Sequence, residues 1–275
     1  MTLPDDLAYP IIAVSDLHGR RRDLERLVER LERLPEWPDA ALAFLGDYVD
    51  RGPDTRGTID LVLELLRRPA GGSAVMGNHD LGLIRTAQLD DGPPSPYWRG
   101  HFPPLYSGGA TLASYLGRPN RGVIPTADDL GALREVMPRA HREFLAGLRW
   151  VVEAPGHLFL HCGLSPELGA DPAEQVAALR ARRWERAEMR PRPRSNTDRY
   201  WQPEYPVWIG ADRKLSRSPL PFPGKVQVTG HDTVDRPEAD AVRIRLDTGG
   251  GVGPPSACLL RSADAPPEFI TVRPL

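Results

Sequence analysis

Apolar positions along the chain gather into short runs, and each run breaks at a polar cluster. "IIAVSD" (11–16), "ALAFLGD" (41–47) and "GSAVMGN" (72–78) read as buried strands that finish at Asp, Gly or Asn. Between the first two, Leu24, Leu27, Val28, Leu31 and Leu34 recur on one helical face. That spacing predicts a helix starting near Arg22 and stopped by Pro35. "TIDLVLELLRRP" (58–69) predicts a second helix, halted by Pro69. Strand, helix, strand, helix, strand implies right-handed βαβ crossovers and a parallel sheet. Chemistry in such sheets collects beyond the carboxyl ends of the strands, which is where the polar clusters lie.

Downstream the pattern loosens. Residues 81–150 read as helices joined by loops rich in Pro and Gly. "HLFLHCG" (157–163) and "KVQVTGH" (225–231) then predict two buried strands, each running into a histidine. "AVRIRLDTGGG", "SACLLRS" and "EFITVRP" alternate like successive strands of a second, more antiparallel sheet. Residues 180–199 form a charge run with eight arginines among three acids and two prolines, and read as a solvated insertion.

Composition narrows the class without naming a reaction. The 275 residues are 40% hydrophobic and 26% charged, enough apolar mass for a sizeable core. A formal net charge of −2 gives no overall pull toward nucleic acid or an anionic membrane, so neither is expected as a partner. The start, "MTLPDDLAYP", is acidic rather than signal-like, and no apolar stretch approaches a membrane span. Cys162 and Cys258 are the only cysteines, which indicates no disulfide framework and makes a reducing, cytoplasmic compartment the expectation. All basic residues except Lys214 and Lys225 are arginines, a bias of the whole chain that weakens any single arginine as a functional signal.

The strand ends, read in order, collect one chemistry. They present Asp16 and His18 from "DLHG", Asp47, Asp50 and Arg51 from "GDYVDRG", Asn78, His79 and Asp80 from "GNHD", His161 from "HCG" and His231 from "GH". Carboxylate and amide oxygens mixed with imidazoles suit Mn²⁺, with Fe, Zn²⁺, Ni or Co also compatible, better than Ca²⁺. So many donors suit two divalent ions about 3.5–4 Å apart, joined by one carboxylate.

The ordered blocks "DLHG … GDYVDRG … GNHD" resemble the signature of the calcineurin-like metallophosphoesterases, and within them the PPP-type phosphatases. "HCGLSP", "GH" and "RLDTGGG" look like the remaining blocks of bacterial members, and "GGATLASYLG" (108–117) and "PRAHREFLAGL" (138–148) like the segment between. The resemblance implies an α/β fold of two packed mixed β-sheets flanked by helices. Residues 1–275 would form one catalytic domain, with 81–150 and 164–224 as groove walls. It implies one metal on Asp16, His18 and Asp47, and a second on Asp47, Asn78, His161 and His231. A hydroxide shared by the metals would attack phosphorus, with Arg51 and Asn78 gripping the phosphate oxygens. His79 would protonate the departing alkoxide, with Asp50 orienting the ring and favouring its protonated form.

Substrate is the open part. The intact Asp–His–Arg set points to a phosphomonoesterase of Ser/Thr protein phosphatase type, acting on a phosphorylated protein or a small phosphate ester. The alternative is a dinucleoside polyphosphate hydrolase, whose phosphate leaving group needs the acid less. A non-catalytic scaffold would lack a ligand or the acid, and none is missing. Asp232 departs from the family pattern beside His231, where a carboxylate would repel phosphate or tune a neighbouring histidine. A second phosphate-gripping arginine is sought between the late histidines, with Arg183 and Arg213 as candidates. His101, His141 and His157 read as packing or surface groups, and Cys162 as a small buried filler. Asp80 reads as a helix cap, and "TGGGVGPP" lacks the spacing of a nucleotide cradle.

Overall fold

The computed structural model describes residues 2–89, 109–118, 126–166, 169–182 and 219–273. His101, Arg183, Arg213 and nearly all of the arginine run lie outside these residues. The expected βαβαβ unit is present as β1 (Ile11–Val14), α1 (Arg21–Leu31), β2 (Ala41–Phe44), α2 (Thr55–Leu65) and β3 (Gly72–Ala74). α1 ends ahead of Pro35, and Leu34 packs against the core from the following turn. α2 starts three residues earlier than its apolar pattern suggests, because the Asp54 carboxylate caps it by accepting the Gly57 N–H at 2.8 Å.

Next come the helices α3 (Asn78–Ala87), α4 (Gly109–Leu116), α5 (Ala127–Val136) and α6 (Arg139–Gly147). They are followed by β4 (Val152–Ala154), β5 (His157–Phe159), α7 (Pro172–Arg180) and β6 (Val226–Thr229). The described chain closes with β7 (Glu238–Ala239), β8 (Arg243–Arg245), β9 (Ala257–Leu260) and β10 (Glu268–Ile270). Among the described residues the strands form two five-stranded mixed sheets, ordered β10-β9-β1-β2-β3 and β4-β5-β6-β8-β7. In each, three adjacent strands run parallel: β1, β2 and β3 on one side of the first, β5, β6 and β8 at the centre of the second.

This corrects one expectation. "AVRIRLDTGGG", "SACLLRS" and "EFITVRP" are not successive strands of one antiparallel sheet. β8 lies parallel to β6 in the second sheet, whereas β9 and β10 return to the first, with β9 antiparallel to β1. Alternation states which side of a strand is apolar but does not name its partner. β4 and β7 were not expected either; they are only three and two residues long.

The period-two pattern builds the layers. Ile11 and Ala13 of β1, Ala41 and Ala43 of β2, and Cys258 and Leu260 of β9 share a core with Val152, Phe159, Val228 and Ile244 of the second sheet. The alternate residues, Ile12, Val14, Leu42, Phe44 and Leu259, pack with Leu24, Leu27, Ile59 and Val62 of the helices. Two sheets therefore meet face to face with helices outside. No helix among the described residues is long and apolar enough to cross a membrane.

Candidate active site

Each strand stops two or more residues before its chemical group, and the chain then bends sharply. His18, Asp47, Asp50, Arg51 and His231 all sit at positive φ, between 41° and 70°. Non-glycine residues adopt this left-handed conformation at a cost of about 1 kcal/mol or more each. Here it turns side chains from separate loops toward a common point. Close approach also matters: a Cβ on Gly77 would lie 2.1 Å from Asp47 Oδ1, and one on Gly230 would lie 2.0 Å from Asp16 Oδ1.

Asp47 is at the centre. Its Oδ1 accepts the His79 N–H at 2.9 Å. Its Oδ2 faces three imidazoles, 3.4 Å from His18 Nε2, 3.5 Å from His161 Nε2 and 4.0 Å from His79 Nε2. Asn78 Oδ1 lies 3.1 Å from His161 Nε2. Ligands held about 2.1 Å from a common ion stand roughly 3–3.4 Å apart, so these spacings suit cations between the groups. His18 Nδ1 meets the Val49 carbonyl at 3.0 Å and His161 Nδ1 meets the Leu45 carbonyl at 2.7 Å. Both carbonyls claim the Nδ1 proton and leave an Nε2 lone pair facing Asp47.

Among the described residues, three donor groups each have their atoms within 4.8 Å of one another: His18, Asp47 and His79; Asp16, Asp47 and His161; and His161, Cys162 and His231. Asp47 is shared by the first two groups and His161 by the last two, and Asn78 joins through its contact to His161, so the candidate ligands proposed from the sequence lie in one region. His231 is joined to Asp16 through its backbone N–H, which approaches both carboxylate oxygens at 3.2 and 3.1 Å. Cys162 is buried, as its reading as a filler implied, but it fills a place beside two imidazoles.

The charge balance also fits cations. Burial, with Asp247 and Asp47 nearby, pushes Asp16 well above the usual carboxylate range. Burial acts the same way on Asp47, but His161, His79 and His18 outweigh it and hold that carboxyl well below its usual value. Burial opposes charge on His161 too, yet Asp47 and Asp16 raise it to about 10. A proton is held at a position where a divalent ion would compete for the same lone pair.

The second half of the site pairs a buried imidazole with a buried carboxylate. His79 Nδ1 lies 2.9 Å from Asp50 Oδ2, and both side chains are fully buried. Burial dominates, holding His79 well below the normal imidazole range and Asp50 well above the normal carboxylate range. Arg51 is exposed; its Nη2 stands 3.1 Å from His79 Nε2 and its Nη1 donates to the Gly250 carbonyl at 2.7 Å.

Several supporting residues were not legible beforehand. Asp80 does more than cap α3: its carboxylate accepts the N–H groups of Gly77, Asp47 and Tyr48 at 2.8–2.9 Å, tying two active-site loops together. Within "TGGGVGPP", the Gly250 carbonyl accepts from Arg51 Nη1 and anchors that side chain. Asp232 neither stands free nor faces outward. It is buried 3.6 Å from the Arg243 guanidinium, which offsets its charge. His141 and His157 are packing groups as expected, hydrogen-bonded to Tyr115 and to Tyr9.

A family model described as calcineurin-like phosphoesterase matches residues 9–194. The symmetrical bis(5'-nucleosyl)-tetraphosphatase of Janthinobacterium sp. (strain Marseille) is 28% identical over 174 residues, covering 61% of this chain and 48% of its own. The chain spans about half the length of the curated relatives of this kind that align over most of it. Among solved structures, a provisionally named diadenosine tetraphosphatase aligns over 98% of both chains with a TM-score of 0.55 at 20% identity. A protein serine/threonine phosphatase from Saccharomyces cerevisiae aligns over 98% of this chain and 81% of its own, with a TM-score of 0.52 at 12% identity. At these identities the two structures speak to the fold.

Proposed function

The chain belongs to the calcineurin-like phosphoesterase family, and on that premise we propose that it hydrolyses phosphoric esters with two divalent cations. The observation that carries this reading is Asp47 Oδ2, flanked by His18 and His161 and set beside the His79–Asp50 pair. Asp16, His18 and Asp47 would hold one cation, and Asp47, Asn78, His161 and His231 the other, with Mn²⁺ the first choice. When bound, such a pair lowers the pKa of a water and neutralises phosphate oxygens.

The remaining work falls to side chains. Arg51, exposed at the mouth and anchored at Gly250, offers its guanidinium fork to phosphate oxygens. Asn78 assists from the buried side. His79 turns Nε2 toward Arg51 while Asp50 holds Nδ1. Burial disfavours the protonated form of this imidazole, and an anionic phosphoryl group placed against Nε2 would favour it. Substrate binding thus loads the acid that serves the departing oxygen.

The need for an acid favours an alkoxide leaving group, hence a phosphomonoester of phosphoserine, phosphothreonine or small-ester type. A second reading, cleavage of a dinucleoside polyphosphate, is supported by the names of the curated relatives. The test is kcat/KM with Mn²⁺-loaded protein on a phosphothreonine peptide and on diadenosine tetraphosphate. Preference for the peptide supports the first reading; preference for the dinucleotide replaces it with the second. His79→Asn should cost about 10²–10⁴-fold on an alkyl phosphate and far less on an activated aryl phosphate. Equal losses on both would remove His79 from the role of acid.

A further inference from the structure

The segment "GGATLASYLG" has no part in the chemistry described so far, yet its helix touches the His79–Asp50 pair directly. Thr111, Ser114 and Tyr115 of α4 stand at i, i+3 and i+4, one face of the helix. All three polar groups are engaged. Ser114 Oγ accepts the Arg56 N–H at 2.9 Å, at the start of α2. Tyr115 Oη lies 2.7 Å from His141 Nδ1, whose Nε2 lies 2.9 Å from Asp60. These two contacts seat α4 against α2 and α6. Thr111 reaches further: its Oγ1 accepts the Asp50 N–H at 2.9 Å and donates to Asp50 Oδ1 at 2.5 Å, with Thr55 Oγ1 of α2 at a longer 3.5 Å.

We propose that Thr111 is a positioning residue for the proton donor. Asp50 Oδ2 faces His79 Nδ1, so a hydroxyl on Oδ1 fixes the rotation of the carboxylate and, through it, the direction of His79 Nε2. The reciprocal contact to the Asp50 N–H fixes the backbone as well, at a residue whose φ is +70°. Thr111 and Asp50 are both fully buried, so water cannot take over either bond. Valine would fill the same volume, and Ser114 and Tyr115 already hold the helix. The hydroxyl's two short contacts, at 2.5 and 2.9 Å, are both to Asp50, against 3.5 Å to Thr55, so it acts on Asp50, and the chain of contacts runs Thr111, Asp50, His79 across 61 residues of sequence.

This inference rests on His79 acting as the acid in the reading above, and the test separates the two. Thr111→Val, Thr111→Ser and His79→Asn are loaded with Mn²⁺, their bound metal is counted, and each is assayed on an alkyl and an activated aryl phosphate. Thr111→Val is expected to keep wild-type metal content and aryl phosphate turnover within ~3-fold, and to lose ~10- to 100-fold in kcat on the alkyl phosphate. Thr111→Ser, which restores the hydroxyl, should recover most of that loss. Adding Thr111→Val to His79→Asn should cost nothing further. If His79→Asn discriminates between the leaving groups and Thr111→Val does not, the positioning role of Thr111 is overturned and the acid stands. If His79→Asn does not discriminate, the acid and the positioning role fall together. Should the valine variant not fold, Thr111→Ala with the same serine comparison decides the question. Loss of metal and of both activities in Thr111→Ala would make Thr111 a structural residue only.

Discussion

Asp47 Oδ2 is approached by more imidazole nitrogens than any hydrogen-bonding scheme requires, and that crowding is its function in the proposed site. A neutral amide keeps the shape but not the charge that offsets cations. Asp47→Asn is expected to lower metal affinity by more than ~100-fold and to abolish turnover, as read by metal content and titration calorimetry. A variant that keeps two ions per chain would remove Asp47 from the bridging position. The same scale explains what could be seen beforehand. Asp16, His18, Asp50 and His79 could be picked out because each lies in a polar cluster that breaks an apolar run with residues that do not belong in a core. Thr111 could not, because a threonine in a helix carries no such mark until Asp50 lies 2.5 Å away.

Among the elements, the strands matter less for their length than for where they stop. β1 ends at Val14 and β2 at Phe44, so Asp16 and Asp47 belong to loops whose left-handed residues turn them inward. β5 shows how an element's start is held as well. His157 Nδ1 lies 2.6 Å from Tyr9 Oη, and burial, with Lys225 adding to it, lowers the imidazole to about 4. An unfolded chain protonates this histidine near 6.5, so between those values the unfolded state binds the extra proton. His157 therefore contributes stability above pH 6.5 that is lost as pH falls toward 4. Urea unfolding of the wild type should weaken across that window, and His157→Phe should flatten the slope. An unchanged slope would show that other groups carry the acid sensitivity.

For the whole molecule, the two sheets bring five loops from residues 16 to 231 onto one small volume crowded with carboxylates. Cations that bind the folded chain and not the unfolded one stabilise it, by about 2.7 kcal/mol for a site at one hundred times its Kd. Chelation is expected to lower Tm by several degrees and Mn²⁺ to restore it; identical melting in both states would count against a cation centre. The sequence by itself determined the βαβ core, the order of the candidate ligands and the side of the sheet on which they gather. Those follow from local periodicity and from the rule that parallel strands present chemistry at their carboxyl ends. Only the tertiary structure decided that β9 and β10 belong to the first sheet, that Arg243 offsets Asp232, and that Gly250 anchors Arg51 across 199 residues. Such partners are chosen by which surfaces remain open once the core has packed, and no local pattern of apolar and polar residues records that choice.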